Sequence, residues 1–473
     1  AGAPAVGRGD LGRPRPSLAM VVGAVEPFPL APHFEVCKVA PAIFDGFGRG
    51  MSCTEAVAAG EELLRMPLSR CWTAEGARQA PEFSSIGEEV EAISDASLIA
   101  LHILVVRAQG ADAPDAWRRE HLALLESAEF DTMLDWPEKD LDVLMGSKWA
   151  MVARACRDDI REEFTYLEEE LELGDFLRAH KVDEAGFFWA HRLLISRSMQ
   201  FFMEDGSMVY VLAPGQDMFN HSVEVPNGND DVNLVTVEDR MCLSIRALQN
   251  YAAGEQAFYS YSGASNGRLL LMAGFVIPNN PYNAVELTFT FPVTSATLPA
   301  YCALAEGLEA GLRKPGSAVA EETKNEFIET LPPDAENPEE VALHVRLSGG
   351  EALHGQLERT LAFFLLTRIC RGGVAPSDED VARADADPKQ RAQSLQLLHG
   401  QLKMMLGGYR TTLEEDNTAL SQLEAQASTA AAGRGAQRLA SSLTVLIGEK
   451  AIFAEALGYL EDRMQALCSV YTA

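Results

Sequence analysis

Four short stretches of the chain hold side chains whose types and spacing could do chemistry. In "PGQDMFNHS", Asp217, Asn220, His221 and Ser222 put a carboxylate, an amide, an imidazole and a hydroxyl side by side. Such a group can bind a polar ligand; equally, Asn220 can form an Asx-turn with His221 as a satisfied structural residue. Zinc is disfavoured, because no further ligands lie at suitable spacing. In "GEQAFYSYSGASNGRLLLMAGFV", Gly254 and Glu255 read as a turn, Phe258 to Tyr261 as a strand, and Asn266 as the start of a helix that ends near Gly274. Tyr259 and Tyr261 alternate on that strand and so point the same way, an arrangement also common in plain core. Arg197 closes the apolar helix "FFWAHRLLISRSM" and offers its planar fork to a carboxylate, either a ligand's or a structural acid's. Gly46, Gly48 and Gly50 in "DGFGRGM" let a backbone pass close to a ligand or turn with positive φ. No long helix opens behind them, which disfavours a phosphate loop of the Rossmann kind.

Positioning these groups requires strands, and the sequence supplies them in two blocks. Short apolar runs punctuated by glycine occupy Phe34 to Pro67, and strand patterns return at 207–213, 232–237, 241–248, 256–262 and 284–291. Between Glu82 and Arg197 the period changes to that of helices. There Ile160, Phe164, Leu167 and Leu171 share one face, and the acidic residues around them read as a solvated surface. Beyond about residue 295 the pattern is helical to the end, with a small-residue connection at 426–437 that reads as mobile. Strands interrupted by a long helical insertion do not match the regular alternation of a doubly wound sheet.

The chain has 473 residues, enough for two or three cores, with 39 Lys and Arg against 69 Asp and Glu and a formal net charge of -30. That balance argues against direct nucleic-acid binding, which rests on neutralising phosphates. It suits a basic or protein partner. No apolar run is long enough to span a membrane. The eight cysteines, widely and irregularly spaced with no C-x-x-C pair, read as thiols in a reducing compartment. Near the N-terminus Arg8, Arg13 and Arg15 face a single acid, Asp10, amid Gly, Ala and Pro. The composition is that of an organelle transit segment or of a disordered tail.

In order and spacing together, "DGFGRGM…AAGEELLRMP", "FFWAHRLLISRS", "DMFNHS", "GEQAFYSYSGASNGRLLLMAGFV" and "LGGYRTTLEEDNTAL" resemble the SET-domain protein methyltransferases. Within them the likeness is to the plant Rubisco large-subunit methyltransferase group, and it runs from about Phe44 to the C-terminus. It implies an α+β fold. A flexible tail would cover 1–33 and a SET domain of short β-sheets 34–290, with a helical insertion at about 80–185. An all-α substrate-binding domain would cover 291–473. It also implies S-adenosylmethionine as cofactor and no metal. Gly48 and Gly50 would lie along its methionine part, Arg197 would hold its carboxylate, and Asp217, Asn220 and His221 would bound its amino and adenine ends. Tyr261 corresponds to the family's catalytic tyrosine.

Three positions depart from that pattern. Ala273 stands where the family often has a tyrosine before Gly-Phe, the loop "NGNDDVNLV" lacks a further expected tyrosine, and Phe47 replaces an acid. The leading expectation is an S-adenosylmethionine-dependent lysine N-methyltransferase acting on a folded protein of the chloroplast. Two alternatives stay open. One is a SET-like scaffold subunit of a plastid assembly such as the transcription complex; the other is a histidine N-methyltransferase, since some relatives with that activity lack the same tyrosine.

Overall fold

A computed structural model describes residues 28–128, 131–203, 207–225, 232–261, 263–294, 296–304, 328–331, 340–370, 376–427 and 433–472. The expected N-terminal tail therefore lies outside the described residues up to 27. Most of the "NGNDDVNLV" loop and the middle of the 426–437 connection also lie outside them.

Two four-stranded sheets form the first half. One has the order β1 (Val36–Cys37), β4 (Glu62–Pro67), β9 (Arg240–Arg246), β8 (Val232–Val237). The other has the order β2 (Val39–Phe44), β3 (Gly48–Cys53), β10 (Gln256–Tyr259), β7 (Asn220–His221). β2 and β3 form a hairpin with Phe44 opposite Gly48, and the turn between them bends at Gly46, whose φ is +74°. β3 then pairs antiparallel with β10, and β10 pairs parallel with β7, setting Phe258 opposite Asn220 and Tyr259 opposite His221. A two-stranded ribbon, β5 (Met199–Phe202) and β6 (Met208–Val211), lies between the insertion and β7 in the chain.

Helices fill the chain from β4 to β5: α1 (Ala74–Arg78), α2 (Asp95–Gln109), α3 (Ala116–Glu126), α4 (Glu138–Leu141), α5 (Lys148–Thr165), α6 (Gly174–Ala179) and α7 (Glu184–Arg197). α2 starts at Ser94, whose side chain accepts from the Ser97 N–H, and its residues from Ser97 to Val106 are all buried. A helix apolar on every side has to be enclosed, and α2 lies inside the same core as Leu63, Leu64, Leu243 and Ala257 of the strands. Ile160 and Leu167 are buried in that core, with Phe164 and Leu171 packed against it, so the face read from spacing is the packed one. No single described helix is long and apolar enough to cross a membrane; α2 and α3 pass that test only as a pair bent by 109°. All eight cysteines are free thiols.

The helix expected after Asn266 is α8 (Asn266–Ala273), capped by Ser265 and ended by Gly274 in the left-handed conformation. Behind it the chain is helical, with α9 (Glu351–Ile369), α10 (Asp378–Ala386), α11 (Pro388–Leu406), α12 (Leu413–Ala427) and α13 (Arg434–Thr472). This helical region also carries a sheet that the expectation of an all-α part did not include. β11 (Ala284–Pro292) pairs along its whole length with β13 (Glu340–Ser348), and β13 pairs with β12 (Ile328–Leu331). β11 sends Val285, Phe289 and Phe291 into a second core with Leu353, Leu357, Leu398 and Phe453 of the helices. The alternation in "AVELTFTF" is thus a strand of the C-terminal core, since its partner is β13.

Candidate functional site

Gly215, at φ +81°, turns the chain into a single 3-10 turn, Gln216–Met218, that buries Asp217. A Cβ at Gly215 would lie 3.0 Å from both Leu64 and Phe34, so glycine is required there for space as well as for φ. The chain then enters β7, whose two residues are Asn220 and His221. The Asn220 amide donates to the Arg49 carbonyl at 3.1 Å and so ties β7 to the glycine strand β3. Gly50 sits beneath this link, where a Cβ would stand 2.5 Å from Gln256 Nε2 and 2.6 Å from Asn220 Nδ2. Gly48, at φ +69°, is exposed at the end of β3 with open space around it.

Tyr261 lies two residues past the end of β10, with its ring 4.8 Å from that of Tyr259. Its N–H donates to His221 Nδ1 at 3.0 Å, and its hydroxyl donates to the Phe219 carbonyl at 2.6 Å. Accepting at Nδ1 leaves the neutral His221 ring with its proton on Nε2, and burial lowers its basicity. Burial pushes the Tyr261 phenol up to about 12, with the nearby Arg197 charge pulling the other way. Tyr261 is therefore a hydrogen-bonding phenol and no base at physiological pH. The Tyr261 ring packs 5.1 Å from His221 and 6.4 Å from Phe275, and Gln216 donates to the Tyr259 hydroxyl at 2.7 Å.

Arg197, the last residue of α7, reaches the Asp217 backbone carbonyl and lies 3.5 Å from its Oδ2. The structural acid anticipated for Arg197 is thus Asp217. Burial alone would raise the Asp217 carboxyl. The His121 ring beside it, then Arg197 and the Gly215 N–H, more than offset this and hold it below the usual carboxylate range. Asp217 Oδ1 is buried and has no hydrogen-bond partner. Among the described residues no group of three or more His, Cys, Asp and Glu side chains could hold a metal ion.

Of the seven residues singled out from sequence, Arg197 contacts Asp217 and His221 contacts Tyr261, while Asn220 neighbours His221 in β7 and Gly50 packs directly under Asn220. Gly48 stands apart at the rim. A positive group beside a buried carboxylate with a spare oxygen, next to an aromatic wall, can hold a small zwitterion with an apolar end. Sequence reasoning missed His121, which is buried on α3 and faces Asp217, and Trp72, which touches His121. A lone histidine in the helical stretch "WRREHLALLE" carries no local signal of either contact.

Comparison with known proteins bears on the fold. Residues 48–262 match the SET domain model, and residues 321–453 match Rubisco LSMT substrate-binding. The chain is 27% identical over 259 residues to the actin-histidine N-methyltransferase of Gallus gallus, covering 52% of this chain and 41% of that protein. The Homo sapiens protein of the same name is 26% identical over 252 residues, covering 51% of this chain and 40% of its own length. The chain thus spans about two fifths of these curated relatives. A crystal structure of the SET domain of LSMT bound to lysine and AdoHcy superposes with a TM-score of 0.64 at 19% identity, over 91% of this chain and 88% of that one. Rubisco LSMT bound to AdoMet gives 0.63 at 20% identity, with the same coverage. At such identities the likeness is one of fold, and it extends through both halves of the chain. The chain therefore joins a SET domain, divided by a helical insertion, to a Rubisco LSMT substrate-binding domain.

Proposed function

We propose that the chain is an S-adenosylmethionine-dependent protein N-methyltransferase whose acceptor is a lysine of a folded protein. The observation that carries this reading is the convergence of Asn220, His221 and Tyr261 next to a buried carboxylate with an unpartnered oxygen and an arginine. The residues present fit the cofactor: Arg197 would take its carboxylate, Asp217 Oδ1 its ammonium, and Asn220 and His221 the neighbouring polar edge. When bound, S-adenosylmethionine supplies a methyl group activated on a positively charged sulfur. The protein's task is alignment and exclusion of water, because an in-line displacement needs little covalent help.

An exposed lysine amine has a pKa near ~10.4 and is protonated at neutral pH. Apolar surroundings such as Phe219, Tyr259 and Phe275 favour its neutral form, which is the nucleophile. The phenol of Tyr261, already fixed to the Phe219 carbonyl, marks a polar point in this wall that can orient the nitrogen lone pair.

Histidine as acceptor is favoured by two observations: Ala273 presents no hydroxyl, and the relatives at 26–27% identity are named for histidine methylation. Incubating the chain and labelled cofactor with a plant or algal stromal extract tests both readings and the proposed plastid setting. Labelled methyllysine supports the first reading, and acid-stable 3-methylhistidine replaces it with the second. Tyr261→Phe should lower kcat by roughly one to two orders of magnitude through lost positioning. No labelled protein, with no effect of Tyr261→Phe, would leave the scaffold role.

A further inference from the structure

The helical insertion places one side chain directly behind the polar end of the site. His121 of α3 is fully buried, and its Nε2 stands 3.4 Å from Asp217 Oδ2. On its other edge, Nδ1 lies 2.9 Å from Trp72 Nε1. An indole N–H can only donate, so Nδ1 must accept and the His121 proton must sit on Nε2, which lies against the carboxylate at 3.4 Å without forming a hydrogen bond to it. Trp72 is itself immobile: it is buried, its backbone exchanges hydrogen bonds with Leu212, and its ring packs edge-on to Trp117 and His102. The row Trp72–His121–Asp217–Arg197 thus runs from the core to the site, each member oriented by the one behind it. A carboxylate contacted through Oδ2 by His121 and Arg197 has a fixed plane, and this directs the unpartnered Oδ1.

We propose that His121 is a positioning residue for the cofactor's amino-acid end, locked in its Nε2–H form by Trp72 and acting through Asp217 and Arg197. This rests on the cofactor reading above. The insertion then has a part in cofactor affinity in addition to filling the core. Asp217 alone could rotate about its side-chain bonds; with His121 behind it, the carboxylate is preorganised for an ammonium.

Calorimetric titration of the full chain with S-adenosylhomocysteine and with 5′-methylthioadenosine, which lacks the amino-acid end, separates positioning from general support. His121→Phe, which removes the polar contact to Asp217, should weaken S-adenosylhomocysteine about tenfold and leave methylthioadenosine within about twofold. His121→Gln, which keeps an N–H facing Asp217, should recover most of the loss. An equal loss for both ligands in His121→Phe, or no loss for either, overturns the proposal while leaving the cofactor reading intact. If the wild-type chain binds methylthioadenosine and S-adenosylhomocysteine equally, no amino-acid subsite exists and the proposal fails. If it binds neither, the cofactor reading fails as well.

Discussion

Gly50 meets a demand of space with an ordinary backbone, whereas Gly46 and Gly48 take positive φ and have nothing within 4 Å of a Cβ. A methyl at Gly50 would strike Gln256 and Asn220 at once, and Asn220 is the residue that ties the two site strands together. Gly50→Ala should therefore weaken S-adenosylhomocysteine binding about tenfold and lower stability by about 1–3 kcal/mol, the range for an overpacked site. Calorimetry and urea melts read the two effects separately. Gly48→Ala meets no clash and pays only for its backbone angle, about 1 kcal/mol. The two glycines look alike in "GRG", but one faces solvent and the other faces two amides. Tyr261 was recognisable by its place in a motif; its hydrogen bond to a carbonyl 42 residues earlier was not.

At the level of elements, α8 is held by close approach. Its second residue, Gly267, faces Trp149 of α5, and a Cβ there would come within 1.9 Å of the indole Nε1. Asn266 closes the start of the helix by pairing both side-chain atoms with the backbone of Ile277. Just past the helix, Phe275 lies next to Tyr261 and His221. Gly267→Ala should cost about 1–3 kcal/mol despite alanine's better helix propensity, because a buried indole cannot move aside cheaply. A lowered urea midpoint with unchanged slope would confirm it, and a raised midpoint would show that α8 does not press on α5. A helix starting at Asn266 and ending near Gly274 was readable, while the cap, Ser265, came from the structure. That β11 finds its partner in β13 was not, since a period of two reports a strand and says nothing of which strand it joins.

Across the whole molecule, the two domains meet on buried polar contacts. Glu449 of α13 accepts from Ser147 at 3.0 Å and from Tyr409 at 2.8 Å, and Gly146 is so close to Tyr409 that a Cβ would lie 2.6 Å from its Cα. Burial raises the Glu449 carboxyl to about 7, against the two hydrogen bonds that lower it. A folded pKa above the ordinary 4.5 means that the native chain binds more protons than the unfolded one between these values. Stability should then fall as pH rises from about 4.5 to 7 and change no further from this group above 7. Glu449→Gln should flatten that slope and raise stability at pH 8 by up to about 3 kcal/mol; melting curves at pH 5 and pH 8 check it. Beside this contact, Arg438 of the same helix reaches Asp131 and Asp140 of the insertion region. The insertion is therefore joined to the C-terminal helices as well as to the site.

By itself the sequence determined the elements, because period, caps and turn glycines act over a few residues. The helical insertion, the strands on either side of "DMFNHS" and the helix that ends at Gly274 follow from such local rules. Only the tertiary structure decided which groups touch. Asp217 and Arg197 are 20 residues apart, and Trp72 and His121 are 49. Contacts over such separations are set by how α3, α7 and the 3-10 turn pack on one core, and packing depends on all of their residues together. Buried acids show the same limit: Asp217 and Glu449 are both carboxylates in apolar stretches, yet one is held low by His121 and Arg197 and the other pushed high. Charge neighbours and solvent access, which no local pattern encodes, make that difference.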